Sequence, residues 1–209
     1  MYLTEGVKDI LSRLHNAGYE AYVVGGAVRN HFIGIPTEDY DITTSATPDE
    51  IFEVFLDYNT FAPGLKHGTV CVERDKTVYE ITTFRTESGY ADNRHPTSVD
   101  FVRNLKEDLN RRDFTVNAIC YDGKDFVDEF GGRQDILDGV IRCIGNAEER
   151  FNEDALRILR ALRFASRLGF SIEENTKSAI FARKRLLNNV SAERIRITVV
   201  PLINRIPRS

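Results

Sequence analysis

Two aspartates, Asp39 and Asp41, follow a glycine pair, Gly25-Gly26, within the stretch VVGGAVRNHFIGIPTEDYDITT that runs from position 23 to 44. Residues 39–44 read as a strand. Side chains alternate faces along a strand, so the two carboxylates project side by side. Two like charges that close repel and raise one pKa unless a cation cancels them. A divalent metal with oxygen preference, Mg²⁺, is the natural canceller. A glycine pair opening a helix leaves bare backbone N–H groups where phosphate can sit. Each feature alone is ordinary, since Gly-Gly is most often a turn and D-x-D a surface decoration. Together, with Arg29 on the intervening helix, they point to nucleotidyl transfer.

The elements that position these groups follow from periodicity. Residues 5–17 carry Val7, Ile10, Leu11 and Leu14 at helical spacing, with Gly18 as the stop. Residues 21–24 form a first strand and residues 27–33 a short helix closed by Gly34 and Pro36. Thr47-Pro48-Asp49-Glu50 starts a helix with a cap, a first-turn proline and a capping-box glutamate. Residues 69–73 and 77–84 form a hairpin. Residues 86–98 read as an exposed polar loop. Residues 99–102 form a strand, 105–112 a charged helix, and 114–121 either helix or strand. Residues 140–144 form a short strand. From Asn146 the pattern is helical, a first helix running to Gly169, a second over 173–187 and a third capped by Ser191. The expected domains are residues 1–145, mixed α/β, and residues 146–209, all helical.

Composition sets bounds on this reading. The chain has 209 residues, 42% hydrophobic and 29% charged, enough for a sizeable core in one large or two small domains. No run approaches the roughly 20 apolar residues of a membrane span, and the acidic amphipathic start is no signal peptide. Cys71, Cys120 and Cys143 are widely spaced and odd in number, which fits reduced thiols in a cytoplasm better than disulfides or zinc. Residues 150–209 hold 13 Lys and Arg against 5 Asp and Glu, whereas residues 1–149 hold 15 against 27. An acidic front suits a metal-binding head, and a basic back suits a polyanion.

The stretches VVGGAVRN with EDYDITT, then YEITTFR, RRDFTVNAI, DEFGGRQDILDGVIRCIG and NEDALRILRALRFASRLGF follow one another over about residues 20–170. In this order they resemble the N-terminal part of class II tRNA nucleotidyltransferases, the CCA-adding enzymes and bacterial poly(A) polymerases. Asn30 departs from the pattern, which has an aspartate after the arginine. The resemblance implies an α+β fold, a polymerase-beta-like mixed sheet with flanking helices followed by a helical neck. It implies that Asp39 and Asp41 bind two Mg²⁺ ions, one activating the RNA 3′-hydroxyl and one holding the triphosphate. Gly25, Gly26 and Arg29 then support the triphosphate, and Glu80 is the candidate third carboxylate. Arg111, Arg112, Asp113 and Asn117 resemble the family's ribose and phosphate motif.

Asp154 and Arg157, three apart on a helix, share one face. A carboxylate only accepts and a guanidinium only donates. Cytosine and adenine both offer an amino donor beside a ring acceptor, whereas uracil and guanine reverse that pattern. Such a pair therefore accepts C and A. Arg160 and Arg163, on nearby turns, face phosphate or packing. The loop at 86–98, with Asp92, Arg94 and Pro96, matches the A-adding members of the family. His67 and His95 read as solvated loop histidines. The expected partners are CTP, ATP and the tRNA 3′ end. The resemblance ends before the last stretch, VVPLINRIPRS, which reads as a truncated neck with weak tRNA binding expected.

Overall fold

The computed structural model describes residues 1–90 and 96–203. The first part of the chain runs as α1 (Glu5–Asn16), β1 (Ala21–Val24), α2 (Gly26–Phe32), β2 (Asp41–Thr44), α3 (Pro48–Val54), β3 (Asn59–Gly64), β4 (Thr69–Arg74) and β5 (Thr77–Thr83). It continues through β6 (Arg85–Tyr90), β7 (Pro96–Phe101), α4 (Leu105–Asn110), β8 (Ile119–Tyr121), β9 (Phe126–Asp128), α5 (Gly132–Leu137) and β10 (Val140–Ile141). Helices then dominate: α6 (Ala147–Glu153), α7 (Leu156–Leu168), α8 (Glu174–Arg183) and α9 (Ala192–Ile203), with the short strand β11 (Ser171–Ile172) between α7 and α8.

Seven strands form one mixed sheet in the order β3-β4-β5-β2-β1-β8-β9. The central strand, β2, pairs antiparallel with β1 and parallel with β5, Ile42 opposite Ile81. Alternation along the strands divides the core in two. Val23, Ile42 and Ile81 join Ile10 and Leu14 of α1 and Ile51 of α3. Val24, Phe84 and Cys120 meet Leu105 and Leu109 of α4. Ile10, Leu14, Ile42, Ile51, Ile81 and Leu109 are fully buried, each contributing about 1.5–3 kcal/mol relative to exposure. The mixed sheet with flanking helices agrees with the fold class expected from the sequence.

Local signals hold where they rest on caps and turns. Thr47 Oγ1 accepts from Glu50 N–H at 3.5 Å and Glu50 Oε2 accepts from Thr47 N–H at 2.7 Å, completing the capping box. The β4–β5 hairpin turns on Asp75 and Lys76, both at positive φ.

Several elements differ from the sequence-based expectation. The strand carrying the aspartates begins at Asp41, and Asp39 precedes it. Most of the stretch expected to be a loop at 86–98 is an antiparallel ribbon, with Arg85 opposite Phe101 and Tyr90 opposite Pro96. Cross-strand pairing there outweighs the polar composition. Asp92, Arg94 and His95 lie outside the described residues. Strand β3 was not anticipated, because Pro63 and Gly64 interrupt its pattern, but both are tolerated on a sheet edge. Residues 114–121 resolve into a 3₁₀ turn, Thr115–Asn117, and then β8. The helix expected from Asn146 to Gly169 breaks at Asp154, whose φ of −136° and ψ of 106° are extended. Strand β11 pairs in parallel with β10, so the helical part carries one short strand that ties it to the α/β part.

Candidate active-site cleft

A cleft of about 610 Å³ opens between the end of the central strands and helix α7. Every residue proposed from the sequence for catalysis, metal or nucleotide binding lines it, except Glu80. Gly25, with φ 77° and ψ −128°, sits between β1 and α2 in a conformation that side chains with a Cβ rarely adopt. That turn starts α2 immediately beside β2. A Cβ on Gly25 would lie 3.6 Å from Asp41 Oδ2, so the glycine also lets backbone and carboxylate approach.

Asp39 and Asp41 form the acidic side. Asp41 is open to the cleft, yet protein surrounds it on several sides. Its carboxyl is raised above the ordinary value, first by that desolvation and then by the charge of Asp39. Among the described residues neither aspartate is in an ion pair. Glu80 is on β5 next to Ile81 and also raises Asp41, but it is exposed and lies outside the cleft. Among the described residues no three His, Cys, Asp or Glu side chains converge to hold a metal ion. Glu80, the expected third carboxylate, stands beside the dyad as a neighbouring negative charge on Asp41. Two hard oxygen donors with no ion-pair partner among the described residues fit a divalent metal.

The opposite side is cationic. The guanidinium carbons of Arg29, Arg160 and Arg163 lie 5.0, 5.3 and 5.0 Å from the centre of the Phe164 ring. Arg29 comes from α2 and the other two from α7. Arg29 is buried, donates Nη1 to Asn117 Oδ1 and donates Nη2 to Asn30 Oδ1 at 3.0 Å. Burial, then the charge of Arg167, pushes Arg29 down to about 10. Burial, then Arg160, lowers Arg163 as well. Asn30 caps the guanidinium without a charge, where a carboxylate would neutralise it. The Nε–H groups of Arg29, Arg112 and Arg163 are buried and find no acceptor among the described residues. Crowded guanidiniums with unused donors are suited to a polyanion.

Between the two sides lies the segment 111–117. Asp113 Oδ1 accepts from Asn117 Nδ2 at 3.1 Å, and its Oδ2 accepts from Arg160 Nε at 2.7 Å. Burial pushes the Asp113 carboxyl up, but Arg160 and the Asn117 hydrogen bond outweigh it and hold it below the usual range. Phe114 is fully buried edge-on to Phe164, fixing the segment against α7. The 3₁₀ turn that carries Asn117 is held from below by Thr115 Oγ1, which donates to Asp135 Oδ2 at 2.6 Å.

Asp154 and Arg157 both reach the cleft, but they do not pair through their side chains as one helical face. Asp154 occupies the break between α6 and α7. Its Oδ1 accepts from Leu156 N–H at 3.0 Å, and its Oδ2 accepts from Arg194 Nη2 at 3.1 Å. Arg157 Nη1 donates to Glu153 Oε2 at 2.6 Å and Nη2 donates to the Arg111 carbonyl at 2.7 Å. The sequence reading missed Arg194, Arg167 and Phe164 as cleft residues. The arginine-rich composition after position 150 was the available signal, but it did not single out individual residues. All three cysteines are buried and free, and burial pushes Cys120 and Cys143 up to about 12.

Residues 21–142 match the family model described as poly A polymerase head domain, and residues 169–197 match one described as probable RNA and SrmB-binding site of polymerase A. A CCA-adding enzyme of Ligilactobacillus salivarius is 50% identical over 195 residues, 93% of this chain and 48% of that protein. The crystal structure of the Bacillus stearothermophilus CCA-adding enzyme in complex with CTP matches with a TM-score of 0.85 and 43% identity, over 96% of this chain and 49% of that one. A tRNA nucleotidyltransferase complexed with a primer tRNA and an incoming ATP analogue matches with a TM-score of 0.75 and 32% identity, over 95% of this chain and 57% of that one. The chain thus spans about half the length of the curated relatives it matches. With that head-domain model covering more than half of its residues, the chain belongs to the poly A polymerase head-domain family, which its motifs resemble.

Proposed function

We propose that this chain is the catalytic part of a CCA-adding tRNA nucleotidyltransferase, which joins C and A to tRNA 3′ ends from CTP and ATP. The observation that carries this reading is the polarity of the cleft: two carboxylates without an ion-pair partner among the described residues face a row of arginines, of which Arg29, Arg112 and Arg163 have buried Nε–H groups with no acceptor among those residues. In the reaction the RNA 3′-oxygen bonds to the α-phosphorus of the nucleotide, and the bond to pyrophosphate breaks. Asp39 and Asp41 would hold Mg²⁺, which when bound neutralises phosphate charge and promotes ionisation of the 3′-hydroxyl. Arg29, Arg160 and Arg163 bind the triphosphate and stabilise charge on the departing pyrophosphate. Asn117 and Asp113 orient the sugar. No covalent enzyme intermediate is required, because positioning and charge neutralisation suffice. The head comprises residues 1–145 and the helical part follows from 146.

Base choice falls to Asp154 and Arg157. Asp154 accepts from the amino group of C or A, while Arg157 donates to the adjacent ring nitrogen. Uracil and guanine would set acceptor against acceptor and donor against donor, a mismatch worth about 1–3 kcal/mol per unsatisfied group. The carboxylate shares its acceptor capacity with Arg194, which has to accommodate the incoming base. Among the described residues no helix is long and apolar enough to cross a membrane.

The test is extension of a tRNA lacking its 3′ end with CTP, ATP, UTP or GTP. The expected result is C followed by a single A, with UTP and GTP refused. Long runs from ATP alone would instead identify a poly(A) polymerase, the activity named in the family description. Absence of both extension and CTP binding would overturn nucleotidyl transfer altogether.

A further inference from the structure

Asp108 was not singled out by the sequence and does not line the cleft, yet it is fully buried and charged. It lies in α4, one turn before the double arginine. Its Oδ1 accepts from Arg111 Nη2 at 2.7 Å, Arg111 Nε at 3.0 Å and the Arg85 backbone N–H at 3.3 Å. Its Oδ2 accepts from Arg112 Nη2 at 3.0 Å, and the Thr43 hydroxyl approaches it at 3.4 Å while also reaching the Thr82 carbonyl at 3.2 Å. Thr43 is two residues beyond Asp41 on β2, so both project from the same face of the central strand.

The two arginines are then used differently. Both line the cleft, but the Arg111 guanidinium is engaged by protein acceptors, donating Nε to the Arg85 carbonyl at 3.1 Å and Nη1 to Glu87 Oε1 at 3.2 Å. Glu87 is held in turn by Arg85 and by Tyr90. Arg112 has Asp108 as its only carboxylate partner among the described residues, and its buried Nε–H has no acceptor. Three arginines share two carboxylates in this cluster, which leaves one positive charge in excess, and Arg112 is the member with unused donors.

We propose that Asp108 is a positioning residue for nucleotide binding: it holds the Arg112 guanidinium in the cleft beside Asp41 and ties Arg111 back to the β6–β7 ribbon, so that Arg112 alone of the pair meets the nucleotide. This rests on the nucleotidyl-transfer reading and goes further by dividing the double-arginine motif into a ligand-facing member and a bracing member. The charge field agrees: burial pushes Asp108 up, but Arg112 and Arg111 outweigh it and keep it ionised, and Arg112 in turn lowers Asp41. A buried carboxylate between two guanidiniums is weak evidence for stability, because desolvation offsets the attraction. Its clearer consequence is geometric, since it fixes two long side chains that would otherwise sample many rotamers.

The test combines CTP binding with side-chain NMR. Asp108→Asn keeps the shape and removes the charge, and Glu87→Gln perturbs the same buried cluster without touching Arg112. In protein shown to be folded by circular dichroism, Asp108→Asn is expected to weaken CTP binding at least about tenfold and Glu87→Gln less than about twofold, a separation of about 1 kcal/mol. Equal losses in the two variants, or unchanged CTP binding in folded Asp108→Asn, would overturn the proposal. If Asp108→Asn does not fold, a CTP titration of the wild type decides: the Arg112 Nε–H resonance is expected to shift and that of Arg111 to stay, and movement of Arg111 overturns the division. A wild type that binds no CTP would refute nucleotidyl transfer. Positioning is then read without ligand, as slow exchange of the Arg112 Nε–H in the wild type that is lost in Asp108→Asn; fast exchange already in the wild type overturns it.

Discussion

Gly131 and Gly132 are adjacent, yet the structure demands glycine at each for a different reason, and replacing them separates the two costs. At Gly132, the first residue of α5, an added Cβ would lie 2.2 Å from the Thr115 carbonyl oxygen, 2.8 Å from its carbon and 2.9 Å from Ile119 Cγ1. The first of these is about 1 Å short of ordinary contact, and the obstacle is backbone, which cannot swing aside as a side chain can. The helix cannot slide away, because Asp128 accepts from both Gly132 N–H at 2.8 Å and Arg133 N–H at 2.9 Å. Overpacking costs about 1–3 kcal/mol, and Gly132→Ala belongs at the upper end. For a chain of this size each kilocalorie lowers Tm by about 2–4 °C, so a fall of about 6–12 °C is expected. At Gly131 nothing lies within 4 Å, but φ is 73°. Gly131→Ala therefore costs about 1 kcal/mol of left-handed strain, and Gly131→Asn less. The same Gly132→Ala clash pushes on the turn that carries Asn117, so CTP affinity should fall with stability. Thermal melts of the three variants with parallel CTP titrations provide the measurement. A Gly132→Ala protein melting within about 2 °C of the wild type, or a larger loss at Gly131→Ala, would refute the steric reasoning.

Asp41→Asn removes a carboxylate whose charge is disfavoured by its surroundings and by Asp39, so the variant should lose nucleotide transfer while melting no lower than the wild type in the absence of metal. Adding Mg²⁺ should raise the wild-type Tm and leave that of Asp41→Asn unmoved, and equal shifts would remove Asp41 from the metal site. Asp154→Ala should admit UTP and GTP in the extension assay with little loss of CTP affinity, and unchanged refusal of both would move base choice elsewhere. Glu50 is held down to about 2, chiefly by the hydrogen bond from Arg103, against an ordinary 4.5. A depressed carboxylate stabilises above its unfolded pKa and loses that contribution as pH falls through the folded value. Glu50→Gln should therefore lose less stability than the wild type when melts at pH 5 and pH 2 are compared.

The candidate catalytic stretch was legible in the sequence because its signals are local. A glycine pair between strand and helix, two aspartates one residue apart and a capping box at Thr47 each depend on a few consecutive residues. What was hidden depends on contacts between distant segments. The 86–98 stretch is polar in composition, and only the pairing of Arg85 with Phe101 and Tyr90 with Pro96 makes most of it a ribbon. Asp154 and Arg157 have helical spacing, yet the carboxylate of Asp154 caps the next helix and binds Arg194, forty positions away. Arg111 and Arg112 look equivalent in RRDFT, and their difference appears only when Glu87 approaches one of them. Asp108 was readable in principle, as an aspartate three and four positions before two arginines. That spacing is common on solvated helices, where it implies little.

Asp41 leaves the chain at the start of β2, the fourth of seven strands, with ladder partners on both sides. Fraying, which begins at edges and termini, reaches this strand last. Backbone amides along β2 should therefore be among the slowest in the molecule to exchange with solvent, although a side chain at its end stands open to the cleft. The arginines facing it reach the cleft on long side chains from α2 and α7. Asp41 is thus anchored on backbone that opens late, and a nucleotide bound as proposed would meet a carboxylate whose main chain does not yield.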